Sequence, residues 1–428
     1  MKIKNFDELA ASDSRRAALM IAEAGLRAID TGSVLRASVK LNGDELFVKN
    51  EKFLLESGKR IFVVAVGKCA IEAAAALEDI LGDRLSDGVA VDTKTSQTLK
   101  KIKAFQGTHP LPTEANVKAA KAVVQALSGL RNDDLVIFAI SGGGSTLLCL
   151  PEDGEYKDEA KIVGALIRSG ATIQEINTVR KHLSLARGGY LAKYAYPAEA
   201  ISLIFSDVPG NNLEFVSSGP TLKDHTTIKE AEVILAKYDV LKSCGIEKCD
   251  LVETPKEEKY FVRVKNILAV SNEDALAAME AKAKELGFAA KICTACLNGE
   301  AREVGLALTK DLHKAGPKTA FLYGGETTVT VRGHGKGGRN LELALSALRE
   351  IQDDELIMTI ASDGADNGPF AGAICDRITK KAIGDKNLDY KAVLDENNAY
   401  PFFEKIGNYI LTGGTGSNVS DLVIALKE

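Results

Sequence analysis

The sequence predicts a two-domain α/β protein built on a mostly parallel sheet. The chain has 428 residues, and at about 150 residues per domain this length favours two or three domains. Apolar runs of strand length alternate with helical patterns along most of the chain, which is typical of an α/β fold. The runs are continuously apolar, as expected for parallel strands that helices cover on both faces.

The elements of the first half alternate between strand and helix. The predicted strands are Ile61–Val66, Leu135–Ile140 and Ala200–Phe205. The predicted helices are a repeat of apolar residues at Ala18–Ile29, an alanine-rich stretch at Lys68–Leu81, and a helix that starts at Thr172. Thr172 and Glu175 form a capping-box pattern, which fixes the start of that helix.

The second half repeats this alternation after a segment rich in Lys and Glu, residues 243–260. We therefore place the domains at residues 1–240 and 241–428. The predicted strands are Asn266–Val270, Thr319–Tyr323, Thr327–Val331, Leu356–Ala361 and Tyr409–Leu411, and the predicted helices are Glu273–Leu286 and Asn340–Leu348. One alternative stays open, in which the final strand pairs back onto the first domain.

Composition excludes several classes of protein. The net charge is −5 with both signs interspersed, which argues against a general nucleic-acid surface. Neither an apolar run of about 18 residues nor a signal-peptide pattern is present, so we expect a cytoplasmic protein without a membrane partner. Cys293 and Cys296 form a lone C-x-x-C pair without the further ligands that zinc requires.

A glycine-rich loop, Ser141–Ser145, follows the strand that ends at Ile140. Consecutive glycines allow backbone N–H groups to turn toward one anion, and no Cβ blocks its approach. A tight strand-to-helix turn is the alternative. The predicted phosphate contacts are Ser141, Gly142, Gly143, Gly144 and Ser145.

A second glycine loop, Gly333–Gly338, leads into Arg339. It matches the dinucleotide pattern G-x-G-x-x-G formally, which alone is weak evidence. A cation in the first turn of a helix is unfavourable unless it serves an anion, so Arg339 favours a phosphate site. The predicted contacts here are Gly335, Gly337 and Gly338, and those of a third loop are Thr412, Gly413, Thr415, Ser417 and Asn418.

Lys68 follows Gly67 at a strand-to-helix junction, where the same helix-dipole argument applies. A solvated surface lysine is the alternative. The chain has no Walker A motif and none of the protein-kinase motifs. Gly324–Glu326 is interpreted as a hairpin turn between two strands.

The remaining candidate site residues are three carboxylates, an arginine and a histidine. Asp207, Asp363 and Asp366 follow predicted strands, where they are able to hold Mg²⁺ or accept a proton. Asp-Gly turn residues are the alternative. Arg180 on the capped helix and His109 in a Pro-rich loop are candidates for binding a substrate carboxylate, and for Arg180 a solvated helix face remains open.

Together these segments resemble the glycerate kinase family of the MOFRL type. The matching stretches are Val66–Ala70, Gly107–Pro112, Ile140–Ser145, Ile176–Ser184, Ser206–Gly210, Ser217–Pro220, Gly324–Glu326, Gly337–Asn340, Ser362–Asp366 and Thr412–Asn418. The resemblance implies a Rossmann-like N-terminal domain, a smaller C-terminal α/β domain with the MOFRL region at about residues 318–425, and an active site in the cleft between them. It also implies that Lys68 and Arg339 are the functional pair.

The sequence departs from the family pattern at two places. Asn211 and Asn212 stand where the family usually has two acidic residues, so that pair carries no metal role here, and Asp207 is the nearest carboxylate. In the last loop, Gly414 replaces a proline and Ser417 replaces a threonine.

The resemblance implies an ATP- and Mg²⁺-dependent kinase that phosphorylates D-glycerate at its C2 hydroxyl. Lys68 and Arg339 would neutralise the transferring group, with Asp207 as base or metal ligand. Its partners would be small-molecule substrates, and the protein a monomer or homodimer. Two alternatives remain, an NAD(P)H-dependent hydroxypyruvate reductase and a non-catalytic nucleotide-binding protein.

Overall fold

The computed structural model describes residues 1–56, 58–95, 97–153 and 156–428. These residues form two compact units. The first unit comprises Thr31–Ser206 and Asn212–Ala269, and the second comprises Met1–Asp30, Asp207–Asn211 and Val270–Glu428. Both units combine separate parts of the chain, whereas the predicted domains, residues 1–240 and 241–428, are continuous. That division into domains stays a prediction.

The elements of the first unit are numbered in chain order. Its strands are β1 (Val39–Asn42), β2 (Glu45–Val48), β3 (Glu51–Leu54), β4 (Ile61–Val66), β5 (Leu85–Asp92), β6 (Ile102–Gln106), β7 (Leu135–Ser141), β8 (Glu199–Phe205) and β9 (Val264–Val270). Its helices are α3 (Thr31–Ser38), α4 (Ala70–Leu81), α5 (Glu114–Ala126), α6 (Gly144–Leu147), α7 (Tyr156–Arg168), α8 (Ile173–Lys181), α9 (Tyr190–Ala195), α10 (Ile228–Lys237) and α11 (Val240–Cys244).

The main sheet of the first unit has the strand order β6-β5-β4-β7-β8-β9. Strands β4 to β8 run parallel, with Val66 opposite Ile140. This is the 3-2-1-4-5-6 order of doubly wound sheets, in which the direction of winding reverses between β4 and β7. Ligands of such sheets bind at the carboxyl ends of the strands at this switch point. A small antiparallel sheet, β1-β2-β3, completes the unit.

The second unit begins with the N-terminal helices and continues from α12. Its helices are α1 (Phe6–Leu9), α2 (Asp13–Ala28), α12 (Asn272–Glu285), α13 (Ala301–His313), α14 (Arg339–Ala347), α15 (Arg377–Asp385), α16 (Tyr390–Asp395) and α17 (Ala399–Ile406). Its strands are β10 (Ala289–Leu297), β11 (Thr319–Gly325), β12 (Glu355–Ala361), β13 (Gly372–Cys375), β14 (Tyr409–Ile410) and β15 (Asp421–Lys427).

The final strand lies inside the second sheet, whose order is β10-β11-β15-β12-β13-β14. β15 pairs antiparallel with both β11 and β12, which places Asp421 between Gly325 and Ala361. The alternative in which the final strand returns to the first domain is therefore wrong. β15 is buried in all but its last residue. A strand this apolar is most stable inside a sheet, where β11 and β12 satisfy the hydrogen bonds on both of its edges.

Three further expectations need correction. Thr327–Val331 forms no strand, because the N–H of Thr330 donates to the carboxylate of Glu300 instead of to a neighbouring strand. The hairpin turn at Gly324–Glu326 is wrong as well, since Gly324 and Gly325 belong to β11. Asn266–Val270, expected to open the second half, is part of β9 at the edge of the first sheet.

The remaining strands and helices of the prediction are confirmed, with shifts of one or two residues at their ends, except that α2 begins at Asp13, five residues before the predicted Ala18. Thr172 caps α8 as expected, since its Oγ accepts the N–H of Glu175, whose carboxylate accepts the N–H of Thr172. α4 begins at Ala70, two residues later than predicted. Among the described residues, no helix has the length and apolar character needed to cross a membrane.

Candidate active site

The loops after β4 and β7 touch at the switch point of the first sheet. Gly67 has φ of 125°, and a Cβ at this position would overlap the Oγ and carbonyl oxygen of Ser141. The N–H of Lys68 donates to the carbonyl of Gly142 at 3.0 Å. Glycine at position 67 is therefore required both by its backbone angle and by the close approach of the neighbouring loop.

The glycine loop is bordered by two of the predicted site residues. A Cβ on Gly143, whose φ is 86°, would lie 3.1 Å from Cγ of Lys68 and 3.6 Å from Cδ2 of His109. In the part of the chain that the structure describes, the N–H groups of Gly142, Gly143 and Gly144 donate to no acceptor. Such groups need a partner, which water or an anion beside the Lys68 side chain is able to supply.

Lys68 is half-buried and precedes the N-cap residue of α4, Cys69. The prediction that it lies in the first helical turn is therefore wrong by two positions. It still lies beside the glycine loop, as the Gly143 geometry shows. The position before the cap leaves its side chain outside the helix.

Asn116, which the sequence analysis did not select, holds the loop that carries His109. Its side-chain oxygen accepts the N–H groups of Thr108 and Thr113, at 3.0 and 3.1 Å. Its Nδ2 donates to the carbonyls of Thr108 and Thr146, at 2.9 and 3.0 Å. The Thr113–Asn116 capping pattern at the start of α5 was the signal that could have identified it.

Two serines with left-handed backbone angles support the glycine loop. Ser217 and Ser218 are buried, with φ of 53° and 59°, a conformation that is strained for residues with a Cβ. The Oγ of Ser217 donates to the carbonyl of Ser141 at 2.6 Å. Ser218 shares a 2.8 Å hydrogen bond with Ser145 and donates to Asn177 of α8 at 3.0 Å.

Arg180 lies one turn after Asn177 on α8, so both side chains project from one helix face. Its Nε is buried and has no hydrogen-bond partner among the described residues. Arg187 is fully buried nearby, pairing with Glu159 at 2.8 Å and donating to the carbonyl of Arg180. Burial, and then the charge of Arg187, lower the pKa of Arg180. Glu159 pairs with Arg187, and an anion would balance the charge of Arg180.

Arg339 lies in the first turn of α14, as predicted, and is its first residue. It pairs with two carboxylates of the second unit. Its Nε and Nη2 donate to Asp421, and Nη2 lies 3.0 Å from Oε1 of Glu326. Burial alone would lower the pKa of Arg339, but Asp421 and Glu326 raise it above its usual value. These two carboxylates offset the unfavourable interaction between the Arg339 charge and the dipole of α14. The sequence analysis missed Asp421, because its place depends on the register of β15.

Asp366 caps α14 with both of its oxygens. They accept the N–H groups of Asn340 at 3.2 Å and Leu341 at 2.8 Å. Burial, and then the charge of Asp421, raise the pKa of Asp366 to about 7. Because a Cβ on Gly338 would overlap Asp366, glycine is required there. A metal role for Asp366 would compete with these bonds and stays a prediction.

The loop at residues 332–338 docks on the segment between α16 and α17. The N–H of Gly335 donates to the carbonyl of Glu396 at 2.9 Å, and buried Asn397 accepts the N–H groups of Arg332 and Gly333. A phosphate contact by Gly335 would require its bond to open. For Gly337 and Gly338, by contrast, the described residues supply no acceptor.

Most hydroxyl groups of the third glycine loop donate hydrogen bonds to carbonyl groups of the second unit. The hydroxyl of Thr412 donates to the carbonyl of Gly413 at 2.7 Å, that of Thr415 to the carbonyl of Ser362, and that of Ser417 to the carbonyl of Ile29 at 2.8 Å. By contrast, the N–H groups of Gly413 and Gly414 meet no acceptor in the described ranges. The backbone of this loop is therefore better placed than its hydroxyls for binding an anion.

Two predicted metal ligands lie against this loop. Asp207 accepts a hydrogen bond from Asn418 at 3.0 Å and its carbonyl accepts one from Ser420, while the carbonyl of Asp363 accepts the N–H of Thr415 at 3.3 Å. Within the described part of the chain, no three His, Cys, Asp or Glu side chains form a metal-binding group. Mg²⁺ commonly takes one or two carboxylates together with substrate phosphates, so the donor types fit such a site.

The glycine loop after β7 lies beside Lys68 on a doubly wound sheet, and its N–H groups have no acceptor among the described residues, an arrangement typical of α/β enzymes that bind phosphate groups. Residues 17–248 match a family model described as a domain of unknown function, DUF4147, and residues 319–421 match the MOFRL family. The chain is 40% identical over 439 residues to the glycerate 2-kinase of Pyrococcus horikoshii, covering 97% of this chain and 98% of that one. It belongs to the MOFRL-type glycerate 2-kinase family and is a phosphotransferase that acts on an alcohol group.

Two further comparisons bear on this assignment. The crystal structure of a glycerate kinase from Thermotoga maritima matches with a TM-score of 0.82 at 32% identity, covering 96% of this chain and 99% of that one. A protein of Agrobacterium vitis named putative hydroxypyruvate reductase is 38% identical over 381 residues, covering 85% of this chain and 86% of that protein. The structural match supports the two-unit α/β fold.

Proposed function

We propose that this enzyme transfers the γ-phosphoryl group of ATP to the C2 hydroxyl of D-glycerate, giving 2-phosphoglycerate and ADP. The observation that carries the proposal is the row of N–H groups at Gly142–Gly144 beside Lys68, for which the described residues provide no acceptor. Two relatives are named glycerate 2-kinase and D-glycerate 2-kinase. These names are the basis for proposing D-glycerate as the phosphoryl acceptor and its C2 hydroxyl as the position that is phosphorylated.

Arg180 binds the carboxylate of glycerate in this proposal. Its buried Nε has no partner in the described residues, and Arg187 with Glu159 fixes the turn of α8 that carries it. A guanidinium group binds a carboxylate with two parallel hydrogen bonds, which orients the substrate as well as holding it. His109, beside Gly143, is the second candidate for contact with glycerate.

Lys68 and Arg339 neutralise charge on the transferring group. Phosphoryl transfer depends mainly on positioning and on stabilisation of charge that spreads over the phosphoryl oxygens. The C2 oxygen forms the new bond to the γ-phosphorus, the bond from that phosphorus to the β–γ bridging oxygen breaks, and the hydroxyl proton passes to the carboxylate of Asp207. Gly337, Gly338, Gly413 and Gly414 offer further N–H groups to phosphate oxygens.

Asp363 would hold Mg²⁺ in this proposal together with phosphate oxygens of ATP, which leaves Asp207 as the base. The ion supplies neutralisation of phosphate charge when it is bound. The protein residues do the rest: Asn418 orients Asp207 through a 3.0 Å hydrogen bond, and Thr415 donates its N–H to the carbonyl of Asp363. The cytoplasmic location and the monomeric or homodimeric state stay predictions.

A coupled assay tests the proposal. The enzyme is supplied with D-glycerate, ATP and Mg²⁺, together with enolase but no phosphoglycerate mutase, and phosphoenolpyruvate absorbance is recorded. A signal that depends on both substrates is the expected result. Glycerate-dependent formation of ADP from ATP without this signal would move the product to the 3-position, and absence of ADP would overturn the proposal in favour of a non-catalytic nucleotide-binding protein.

The reductase alternative has one specific point in its favour, the name of the Agrobacterium vitis relative. The formal G-x-G-x-x-G pattern does not strengthen it, because the N–H of Gly335 is engaged by Glu396 and Arg339 stands at the start of α14. NADH or NADPH oxidation with hydroxypyruvate, recorded at 340 nm, distinguishes the two activities. We expect no oxidation above the rate without enzyme.

A further inference from the structure

The first residues of the chain run alongside the third glycine loop. The N–H of Lys4 donates to the carbonyl of Leu411 at 2.7 Å, and the N–H of Leu411 donates to Oδ1 of Asn5 at 3.0 Å. The Nδ2 of Asn5 donates to the carbonyl of Tyr409 at 2.8 Å. These three bonds continue the edge of β14 with a segment from the other end of the sequence.

A second set of contacts fixes the far side of the loop. Lys2 donates to Asp30 at 2.7 Å and to the carbonyl of Thr415 at 2.8 Å. Ser417 donates to the carbonyl of Ile29 at 2.8 Å. The N-terminal segment and the end of α2 therefore hold the loop between them, and the backbone on both sides of Lys4 is set by hydrogen bonds.

Lys4 carries its charge directly over the glycine of this loop. Its Nζ lies 2.6 Å from the position that a Cβ on Gly413 would occupy. The side chain is exposed, and among the described residues it has no ion-pair or hydrogen-bond partner. The unpaired N–H groups of Gly413 and Gly414 and the Lys4 ammonium thus form one positively polarised surface that an anion is able to share.

We propose that Lys4 is a binding residue for the phosphate groups of the nucleotide. The inference rests on the proposed function, because the loop beneath Lys4 is there assigned to phosphate. An ammonium group acts on phosphate as a compact point charge with three donors. Glycine at position 413 is favoured by its φ of 69°. No motif of the sequence marks this lysine.

The test compares Lys4→Ala and Lys4→Arg with Lys310→Ala, a control that removes an exposed lysine from α13 of the same unit. KM for ATP, KM for D-glycerate and kcat are measured at low and high KCl. We expect Lys4→Ala to raise KM for ATP about tenfold at low salt, as loss of one charged contact does. The rise should shrink with salt. Lys4→Arg and the control should stay within about twofold of wild type.

An unchanged KM for ATP in Lys4→Ala would overturn the inference, and so would an increase confined to glycerate. A purely structural role for Lys4 predicts equal losses in the Ala and Arg variants without salt dependence, which would also overturn it. If the wild type phosphorylates no glycerate, the proposed function fails separately. Calorimetric titration of ATP into the same four proteins then makes the same comparison, with the same tenfold expectation for the dissociation constant.

Discussion

Lys68 lies where the sequence pattern predicted a cation, beside the glycine loop after β7. Its side chain lies against Gly143, beside N–H groups without acceptors among the described residues. The helix-dipole argument selected both Lys68 and Arg339, although only Arg339 lies within a first helical turn. The catalytic role of both cations stays a prediction, because Lys68 precedes the helix and Arg339 already pairs with Asp421 and Glu326.

Replacement of Lys68 should be severe for turnover and mild for folding. We expect Lys68→Ala to lower kcat at least about 100-fold, which is roughly 2.7 kcal/mol, because a charge that acts on the transferring group is lost. Lys121→Ala, which removes an exposed lysine from α5 of the same unit, should retain wild-type kcat. The coupled assay and a thermal melt measure both effects. Turnover near wild type in Lys68→Ala would remove this residue from the mechanism.

What the sequence could not reveal at this scale were the partners of its functional residues. Asp421 meets Arg339 only because β15 lies between β11 and β12 in one particular register, which local patterns do not encode. Ser217 and Ser218 were part of a matching motif, but their support of the glycine loop depends on left-handed backbone angles. Only the fold shows both relations.

At the scale of elements, the sequence predicted the strands β4, β7 and β8 of the parallel sheet but not β5 and β6. Continuous apolar runs predicted β4, β7, β8 and β12 within one residue at each end. The failure at Thr327–Val331 has a physical cause, since alternating Thr and Val residues fit a strand, whereas the carboxylate of Glu300 satisfies the backbone there. A side chain brought from another element overrode the local preference.

The glycine loop after β7 offers a test of element geometry. Gly143→Ala places a Cβ at φ of 86° and 3.1 Å from Cγ of Lys68. Gly170→Ala has a similar φ of 74°, with no atom within 4 Å of its Cβ. Both should cost about 1 kcal/mol of unfolding free energy through backbone strain, measured by urea denaturation. Only Gly143→Ala should also lower kcat, and equal turnover in the two variants would argue against the loop's role.

At the scale of the whole molecule, the second unit combines distant parts of the chain. Arg15 of α2 pairs with Asp376, the N-cap residue of α15, through two bonds of 2.7 Å, and donates a third to Asn408. These residues lie at opposite ends of the sequence. A boundary read from composition near residue 240 has no means of showing such pairing, because it describes only neighbours along the chain.

This buried pair predicts a pH dependence of stability. Burial opposes the charged form of Asp376, but the hydrogen bonds and charge of Arg15 outweigh it and hold its pKa below the usual value. The stabilisation is therefore present at neutral pH and is lost as pH falls below the ordinary aspartate range, near 4. Asp376→Asn should cost about 3 kcal/mol at pH 7 and flatten the stability profile between about pH 4 and pH 2.

Denaturant melts across this pH range measure the effect of the Arg15–Asp376 pair. Asp385→Asn, which changes an exposed aspartate at the end of the same helix, is the matched control and should follow the wild type. A stability profile of Asp376→Asn that parallels the wild type would mean that the pair contributes nothing through its charge.

The central claim is that Lys68 and Arg339 neutralise one and the same transferring phosphoryl group on its way to glycerate. A double-mutant cycle tests it most directly, with the rate of 2-phosphoglycerate formation measured for the wild type, Lys68→Ala, Arg339→Ala and the double variant. Residues that act as a unit give strongly non-additive losses, so the double variant should be little slower than the slower single variant. Losses that multiply, or a single variant that turns over like the wild type, would contradict the claim.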